Sequence, residues 1–304
     1  MGKYFGTDGF RGEAGITLTA DHAYKVGRFL GWYYNALRER NGNNEPARIV
    51  IGKDTRRSSY MFEYSLVAGL TASGADAYLL HVTTTPSVAY IARVDDFDCG
   101  IMISASHNPY YDNGIKLIDC YGEKMPEEIL LLVEDYIDGK LHVFEKDWPE
   151  LPFAHREHIG CTVDYVSGRN RYMGYLISLG IYSFKGVKVG LDCANGSAWT
   201  IAKSVFDALG AKTYVMGDEP DGFNINNGVG STHIEALRRF VLANELDVGF
   251  AYDGDADRCL AVDEQGGIIT GDHILYVCGR HLKQQGELQD RKSTRLNSSH
   301  ITIS

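Results

Sequence analysis

Short apolar runs rich in β-branched residues alternate along this chain with longer segments of helical periodicity. The runs Arg48–Lys53, Ala77–Val82 and Asp98–Ser104 have the length and composition of buried strands. Between them, Ser59–Ala72 and Ser87–Val94 show the spacing of apolar residues that is typical of helices. Because strands and helices that alternate in this way pack in layers, the pattern predicts an α/β fold.

A strand, a helix, a glycine and a second strand follow one another twice. The first copy begins at Val50 and reaches Gly74 before its second strand. The second copy begins at Val189 and reaches Gly210 before the strand Lys212–Met216. In both copies the glycine stands where a helix needs a left-handed C-terminal cap. Two copies of one unit predict two similarly built domains, although such units also arise independently.

The segment Lys140–His158 lies between the two copies and includes Pro149 and Pro152. Two prolines so close together disfavour regular structure, which predicts a domain boundary here. Two further helices are expected on either side of this boundary. One covers Ala20–Arg40, and the other begins at Thr232–Glu235, which has the spacing of a capping box.

The composition is that of an ordinary globular protein, with 304 residues, 44% of them hydrophobic and 23% charged. The formal net charge of -10 argues against nucleic acid and anionic membranes as partners. The sequence shows no basic and apolar N-terminal leader and no apolar run long enough to span a bilayer. We therefore expect a protein that is neither secreted by a signal peptide nor inserted in a membrane.

The six cysteines form no C-x-x-C pair, and most lie in or directly after apolar runs. We expect them to be buried free thiols, as in a protein of the reducing cytoplasm. They are Cys99, Cys120, Cys161, Cys193, Cys259 and Cys278.

Three carboxylates at alternate positions follow the expected strand Leu246–Tyr252. Asp253, Asp255 and Asp257 can direct their oxygens at one point, which suits a hard divalent cation such as Mg²⁺. Three like charges so close together are unfavourable without a cation. We therefore predict a magnesium site in Asp253–Arg258, called the acidic loop below, rather than a solvated turn.

Two other interpretations of the acidic loop remain open. Together with Glu264 the three aspartates match the acidic positions of an EF-hand, but Arg258 stands where that loop needs glycine. The flanking segments are also expected to be strands rather than helices. Alternatively, an apolar strand followed by D-x-D resembles a haloacid-dehalogenase-type phosphatase with Asp253 as nucleophile, although Asp257 replaces the expected threonine.

A second candidate segment is Ser104–Pro109, called the serine loop below. It follows an expected strand, and ligands of open α/β sheets bind at the carboxyl ends of strands. The hydroxyl of Ser106 is suited to carry phosphate there. On its own, however, such a motif is more often a turn, and it lacks the G-x-S-x-G pattern of a hydrolase. The pair Asn113–Gly114 predicts a tight turn before Lys116.

A third candidate segment is Phe5–Gly12, with three glycines and Arg11. Exposed backbone amides beside one guanidinium can hold a phosphate. The segment lacks the strand–helix setting and the length of a Walker loop. Alone it is therefore a weak indication of phosphate binding.

The three candidate segments together resemble the α-D-phosphohexomutases, and within them most closely the bacterial phosphoglucosamine mutases. The matching motifs are F-G-T-D-G-F-R-G at Phe5–Gly12, S-A-S-H-N-P followed by N-G-I-K, and D-G-D-A-D-R. The segments Asn224–Asn226 and Gly230–His233 also look like that subgroup. The resemblance covers about residues 2–289.

The resemblance implies tandem, similar three-layer α/β/α domains with mixed sheets, the first two of a four-domain enzyme with a central cleft. It places the first domain, with the serine loop, at residues 1–150 and the second domain, with the acidic loop, at 155–257. A fragment of the third domain is expected at 258–289. Residues 290–304 match no part of the family and are expected to be a disordered tail or sequence foreign to the gene.

The reaction that the resemblance implies is the interconversion of glucosamine 6-phosphate and glucosamine 1-phosphate through a bisphosphate. Ser106 would carry the phosphoryl group, and Mg²⁺ would bind it together with Asp253, Asp255 and Asp257. A phosphoserine and three carboxylates repel one another unless a cation neutralises them. The expected cofactor is therefore Mg²⁺, and the expected partner is a hexosamine phosphate substrate.

The same resemblance implies roles for the basic residues near these loops. Arg11, Lys116 and Arg258 are the expected cationic supports of the phosphate, with Lys116 or Arg11 near the proton of the sugar hydroxyl. His107 is expected to orient the serine loop rather than to act as a base. Three further basic residues are expected to be structural or to line the edge of the cleft: Lys53, Arg56 and Arg57.

The sequence also departs from that family, because the motifs that recognise the sugar and its remote phosphate are not in it. Binding energy away from the reacting atoms normally orients them. We therefore expect this chain to bind Mg²⁺ weakly and to turn over substrate poorly. A phosphomannomutase or phosphoglucomutase is one alternative hypothesis, and a fragment without catalysis is another.

Overall fold

The computed structural model describes residues 2–286, which form two layered α/β units and a short hairpin. The strands are β1 (Phe5–Gly6), β2 (Gly9–Glu13), β3 (Arg48–Lys53), β4 (Asp76–Val82), β5 (Cys99–Ile103), β6 (Asp112–Asp119), β7 (Leu141–Val143), β8 (Lys146–Trp148), β9 (Thr162–Asp164), β10 (Lys188–Asp192), β11 (Lys212–Met216), β12 (Val248–Tyr252), β13 (Cys259–Asp263) and β14 (Ile268–Ile269). The helices are α1 (Ala20–Arg40), α2 (Arg57–Ala72), α3 (Thr85–Val94), α4 (Glu127–Ile137), α5 (Val166–Ser178), α6 (Ala202–Ala208), α7 (Ile234–Ala243) and α8 (Gly271–Gln284).

The first unit is a seven-stranded mixed sheet in the order β1-β2-β6-β5-β3-β4-β9. Its parallel centre is β3 with β4 and β5, and β6 pairs antiparallel with β5 and β2. Side chains alternate between the faces along β3, so Ile49 and Ile51 pack with Phe62 of α2, whereas Val50 packs with Ile91 of α3. Helices therefore cover both faces, and β5 leads into the serine loop.

The second unit is a five-stranded mixed sheet in the order β11-β10-β12-β13-β14. Here β10 pairs in parallel with β11 and β12, and β13 pairs antiparallel with β12. One face packs on α6 through Leu191 and Ala202, and the other packs on α7 through Val262 and Leu237. The predicted tandem of three-layer α/β/α units is confirmed, and β12 leads into the acidic loop.

The two glycines of the repeated unit adopt the predicted left-handed conformation. Gly74 follows α2 with φ +82°, and Gly210 follows α6 with φ +93°. At Gly74 a Cβ atom would lie 2.8 Å from the carbonyl oxygen of His158, so a larger residue is excluded by contact as well as by φ. The shared cap therefore reflects the same helix-to-strand connection in both units.

The expected capping box at Thr232–Glu235 is wrong in its detail. A 3₁₀ turn, Ser231–His233, comes first, and α7 begins at Ile234 with no side-chain cap. The hydroxyl of Thr232 lies 3.1 Å from His233 Nδ1 instead of at a backbone amide. The helix exists because Leu237 and Val241 are buried under the second sheet, not because of its cap.

The sheets extend past the domain limits that the sequence suggested. β7 and β8 form a hairpin inside the expected boundary segment, and β9 at Thr162–Asp164 pairs with β4 of the first sheet. Likewise β13 continues the second sheet beyond residue 257, because Ala261 and Val262 are buried in it. The expected limits at 155 and 257 thus fall before strands that complete these sheets. The suggested tail, residues 290–304, lies outside the described residues.

All six cysteines are free, as predicted, but only Cys99 and Cys193 are buried. The other four are exposed, which corrects the expectation of buried thiols. Three of them stand next to strand ends or at a strand's first residue, where the chain reaches the surface: Cys120, Cys161 and Cys259. Cys278 lies on α8, none of whose residues is buried. No helix within residues 2–286 combines the length and apolar character needed to cross a bilayer.

Candidate active site

The serine loop and the acidic loop meet between the two units. Ser106 lies three residues after β5, and its hydroxyl donates to Asp253 Oδ2, which lies 2.5 Å away at the end of β12. Both residues are fully buried. Oxygens of Asp253, Asp255 and Asp257 lie within 4.8 Å of one another. The structure thus brings together the four residues for which the sequence predicted a metal and phosphate site.

Close backbone contact allows the two loops to approach. A Cβ atom on Gly254 would lie 2.5 Å from the carbonyl oxygen of Ser106. The carbonyl of Gly254 in turn accepts from the amide of Ser197 at 2.8 Å, and a Cβ atom on Gly196 would lie 2.5 Å from that same oxygen. Glycine is therefore needed at both positions for the acidic loop to reach the serine loop.

Asp253 and Asp255 differ strongly in their electrostatic setting. Burial, and then the charges of Asp255 and Asp257, raise the pKa of Asp253 to about 7. Burial would also raise the pKa of Asp255, but the ammonium of Lys116 beside it lowers that pKa below its ordinary value. Asp255 is therefore stabilised as an anion, whereas Asp253 keeps its proton to a higher pH than an ordinary carboxyl does.

The acidic cluster fits a divalent cation. Within residues 2–286, Asp255 Oδ1 is buried and has no hydrogen-bond partner. Such an oxygen is costly to bury unless a cation or a donor approaches it. Asp253 and Asp257 offer further carboxylate oxygens within a few ångströms, and hard oxygen ligands are those that Mg²⁺ prefers.

Lys116 on β6 connects the first unit to two carboxylates of the second. Its Nζ lies 2.5 Å from Asp255 Oδ2 and 2.9 Å from Asp257 Oδ2. Burial would lower the pKa of Lys116, but the two carboxylates outweigh it and raise this pKa. Lys116 is therefore a fixed cation rather than a base. A cavity of about 590 Å³ opens beside Lys116 and Asp257 and is also lined by Thr85 and Arg93.

Thr85 is a site residue that the sequence did not indicate as one. It begins α3, and its hydroxyl donates to Asp255 Oδ2 at 2.5 Å while its amide donates to the Asp255 carbonyl at 2.9 Å. The available signal is the run of threonines before Pro86, which marks a helix start at the carboxyl end of β4. That signal predicts a helix terminus but not a partner 170 positions away.

His107, a residue of the serine loop, contacts the acidic loop. Its Nδ1 is 3.4 Å from Ser106 Oγ and 3.1 Å from Arg258 Nη1. Burial, Arg258 and Arg11 lower the pKa of His107 in that order. Its neutral form is therefore favoured. Its Nδ1 accepts from Arg258, while the Ser106 hydroxyl donates to Asp253, so the ring connects the serine loop to Arg258. The structure thus groups His107 and Arg258 with the serine, as their motifs suggested.

Arg11 lies at the margin of this group. It stands on β2, opposite Gly114 of β6, and its ion pair in the described part of the chain is with Asp8 at 3.5 Å. Its Nε is buried and has no hydrogen-bond partner among the described residues. Arg11 is close enough to lower the pKa of His107, but it pairs with Asp8 rather than with the acidic loop.

Lys53, Arg56 and Arg57, which were expected to be structural or to line the edge of the cleft, differ from one another in their contacts. Lys53 is buried in an ion pair with Glu63. Arg56 is fully buried, is paired with Asp54, and contacts the backbone of the serine loop. The amide of Arg57 donates to the Gly222 carbonyl of the second unit at 3.1 Å.

The EF-hand interpretation of the acidic loop is wrong. An EF-hand loop is flanked by two helices, whereas this loop connects β12 and β13, which pair antiparallel. The loop also closes tightly, since the amide of Ala256 donates to the Asp253 carbonyl at 3.1 Å.

Comparison with known families gives two matches along the chain. Residues 2–142 match the family described as phosphoglucomutase/phosphomannomutase, alpha/beta/alpha domain I. Residues 170–267 match the one described as phosphoglucomutase/phosphomannomutase, alpha/beta/alpha domain II. The first match includes the serine loop and the second includes the acidic loop.

Individual relatives agree with these matches. The chain is 69% identical to the phosphoglucosamine mutase of Lachnospira eligens, over 96% of this chain and 62% of that protein. It is 67% identical to the phosphoglucosamine mutase of Lachnoclostridium phytofermentans, over 95% of this chain and 62% of that protein. The chain thus spans about three fifths of the length of these relatives.

Two solved structures share the fold. A phosphoglucomutase/phosphomannomutase family protein of Burkholderia thailandensis matches with a TM-score of 0.74 and 26% identity, over 93% of this chain and 59% of that chain. Aspergillus fumigatus N-acetylphosphoglucosamine mutase, solved in complex with GlcNAc-6P and magnesium, matches with a TM-score of 0.54 and 17% identity. That match covers 94% of this chain and 56% of that chain, and it supports the fold alone.

Proposed function

We propose a function from the premise that this chain belongs to the phosphoglucomutase/phosphomannomutase family. In this proposal Ser106 carries a phosphoryl group and exchanges it with a hexosamine phosphate, as in a phosphoglucosamine mutase. The observation that carries the proposal is the 2.5 Å contact between Ser106 Oγ and Asp253 Oδ2, made where three carboxylates converge. The relatives with the highest identity reported above are phosphoglucosamine mutases, which favours glucosamine phosphates over mannose or glucose phosphates.

The proposed cofactor is Mg²⁺, held by Asp253, Asp255, Asp257 and the phosphorylated Ser106. The partnerless oxygen of Asp255 supports this assignment. When bound, Mg²⁺ would neutralise the cluster and polarise the transferred phosphoryl group. Without such a cation, a phosphoserine next to three carboxylates would be strongly disfavoured.

In the proposed reaction the Ser106 Oγ–P bond breaks while a bond forms between phosphorus and a sugar hydroxyl oxygen. The proton of that hydroxyl passes to the departing Ser106 oxygen, which becomes a hydroxyl again. The resulting sugar bisphosphate then returns its other phosphate to Ser106, which restores the enzyme. Lys116 stays charged because its pKa is raised, so its role is to stabilise negative charge and to position Asp255 and Asp257. Phosphoryl transfer depends mainly on such positioning and charge stabilisation.

The remaining site residues are proposed to bind and orient. Arg258 and Arg11 supply positive charge on the side of His107, and the neutral imidazole of His107 orients the serine loop by accepting from Arg258. The cavity beside Lys116 is the proposed entry for the reacting end of the sugar. We place the reaction in the cytoplasm, which suits a chain whose six cysteines are all unpaired.

The test is the intact mass of the chain after incubation with a hexose 1,6-bisphosphate and Mg²⁺. We expect one phosphate adduct, located on Ser106 by peptide mapping and lost in Ser106→Ala. The control Ser65→Ala removes an exposed hydroxyl on α2 that donates only to its own helix, and it should keep the adduct. A wild-type chain without an adduct would refute the phosphate-carrier role and favour a fragment without catalysis.

Two further measurements separate the remaining alternatives. If the chain were a dehalogenase-type phosphatase, Asp253→Asn would abolish phosphatase turnover and Ser106→Ala would leave it intact. Conversion of glucosamine 6-phosphate is measured separately from the adduct. We expect the adduct to form even if this conversion is slow, because the described loops contain the groups that the first transfer needs.

A further inference from the structure

Ser106 has a backbone conformation that needs outside support. Its φ is +53°, in the left-handed region that residues other than glycine rarely occupy. Such a conformation is unfavourable for an L-residue, because its Cβ atom crowds the backbone. The direction of the hydroxyl follows from this backbone, so whatever stabilises it also fixes the contact with Asp253.

Two carbonyl groups of the serine loop are bound by the same two side chains. Arg56 Nη2 donates to the carbonyl of Ser106 at 3.2 Å and to that of Asn108 at 2.6 Å. Asn226 Nδ2 donates to the same carbonyls at 2.9 Å and 3.3 Å. We call this arrangement the carbonyl clamp. Arg56 belongs to the first unit and Asn226 to the second, so each unit supplies one donor.

The first-unit half of the clamp is itself fixed. Arg56 forms a fully buried ion pair with Asp54, and Asp54 Oδ2 also accepts from the hydroxyl of Ser104 at 2.6 Å. The oxygen of Ser104 accepts from the amide of Ser106 at 2.9 Å. The loop is therefore bound on both sides of Ser106, at the amide and at the carbonyl. None of these contacts involves the Ser106 hydroxyl.

Among residues 2–286, the second-unit half of the clamp is supplied by Asn226. Its side chain is buried, its φ is +58°, and its amide donates to the Ala194 carbonyl at 2.8 Å. Asparagine tolerates this conformation better than most residues. Through Asn226 the second unit forms a direct hydrogen bond to the backbone of Ser106. The same unit presents Asp253 to the hydroxyl, so residues of one unit bind both the carbonyl and the hydroxyl of Ser106.

We propose that Asn226 and Arg56 are positioning residues, which set the direction of the Ser106 hydroxyl by binding the carbonyls of Ser106 and Asn108. The inference rests on the proposed role of Ser106 as phosphate carrier. Within residues 2–286, neither side chain forms a hydrogen bond to the Ser106 hydroxyl or to an oxygen of the acidic cluster. Both bind the serine loop through its backbone carbonyls.

Asn226 is the residue to test, because removal of Arg56 would leave Asp54 buried without its counter-charge and endanger folding. Asn226→Ala removes the donor. Asn226→Asp keeps the shape but turns an acceptor towards two carbonyl oxygens. The matched control is Asn224→Ala in the same loop, whose side chain bonds only to Glu219 and Asp221 in that loop.

The first readout is hydrogen exchange of the amides of Ser106 and Asn108, measured without substrate. We expect faster exchange in Asn226→Ala and unchanged exchange in Asn224→Ala. We also expect the two amides to exchange at least as fast in Asn226→Asp as in Asn226→Ala, because the aspartate turns an acceptor towards two carbonyl oxygens. If Asn226 only filled space, the isosteric aspartate would replace it better than alanine does. Wild-type exchange in Asn226→Ala, or equal effects of both alanine variants, would overturn the clamp.

The second readout is the rate at which Ser106 takes up phosphate from a hexose 1,6-bisphosphate. We expect about a tenfold fall in Asn226→Ala, the effect of losing one buried hydrogen bond, and less than a twofold change in Asn224→Ala. An unchanged rate in Asn226→Ala contradicts the positioning role. If the wild-type chain takes up no phosphate, the proposed function fails, while hydrogen exchange still decides whether the clamp exists.

Discussion

Ser106 and Asp253, separated by 147 positions in the chain, form a buried hydrogen bond of 2.5 Å between the two units. Ser106 is the third residue after β5, Asp253 is the first residue after β12, and each of these strands is central in its own sheet. Because both sheets present the carboxyl ends of these strands to the same place, the hydroxyl and the acidic cluster face each other. This contact connects the two halves of the site, and the predictions below test its electrostatics and its geometry.

Removal of single carboxylates should separate metal ligands from other acidic residues. We expect Asp255→Asn to weaken Mg²⁺ binding at least tenfold, because it replaces a buried charged ligand with a neutral amide. The control is Asp263→Asn in the nearby β13–β14 turn, where the carboxylate accepts from backbone amides outside the cluster. Calorimetric titration with Mg²⁺ measures both. Equal affinities of wild type and Asp255→Asn would exclude this site.

The stability of the metal-free chain should depend on pH through Asp253. Its pKa rises from the ordinary 3.8 to about 7, first because of burial and then because of Asp255 and Asp257. Below the lower value, both the folded and the unfolded chain bind this proton. Between the two values only the folded chain binds it, so the free energy of unfolding falls as pH rises through this window. Denaturation at several pH values measures the fall, which Asp253→Asn should remove.

Mg²⁺ binding should show the opposite pH dependence. The metal requires a deprotonated Asp253, so its affinity should rise with pH by up to about tenfold per unit and level off near pH 7. Titrations in two buffers of different protonation enthalpy measure the released proton. An affinity that stays constant between pH 5 and pH 8 would contradict the raised pKa.

Loss of the Lys116 charge should destabilise the chain when no metal is present. Lys116→Met leaves Asp255 fully buried with Thr85 as its remaining side-chain donor, and we expect a loss of about 2–4 kcal/mol in the free energy of unfolding. Added Mg²⁺ should restore part of this loss, since it supplies positive charge to the same carboxylate. Lys116→Arg keeps the charge and serves as the control. Unchanged stability of Lys116→Met would show that the ion pair contributes little.

A methyl group between the two loops should separate them. In Gly254→Ala the new Cβ atom would meet the Ser106 carbonyl oxygen at 2.5 Å, so one loop must move. We expect phosphate uptake by Ser106 to fall at least tenfold, because misplacement of reacting groups by about 1 Å has effects of this size or larger. Gly174→Ala on α5 meets no atom within 4 Å and should leave uptake unchanged. Normal uptake in Gly254→Ala would show that the close approach is not needed.

Several strands and helices could be predicted because periodicity and residue composition act over short stretches of the chain. Strand β3 has the predicted bounds, and α1 has the bounds Ala20–Arg40 that its periodicity indicated. The exposure of Cys120 and Cys259 could not be predicted in the same way, because it depends on where a strand meets the surface. The failed cap at Thr232 shows the same limit, since packing of α7 on its sheet determines where that helix begins.

The sequence predicted the chemistry of the candidate site, but it did not indicate every residue that forms the site. Ser106 and the three aspartates belong to short motifs whose residue types indicate phosphate and metal. Thr85 and Asn226 contribute through contacts with residues 170 and 120 positions away, respectively. Neither has a local signal for such a partner, because the contact exists only where the two units meet.

The sequence by itself determined the α/β elements, the repeated unit and the two loops that carry reactive side chains, because periodicity, turn glycines and residue chemistry act over short stretches of chain. Only the tertiary structure decided that Ser106 donates to Asp253, that Lys116 is held charged by two carboxylates, and that Asn226 reaches across to the serine loop. The physical reason is that burial and the approach of distant charges set the pKa values and the hydroxyl direction. Both arise only when the two sheets pack together.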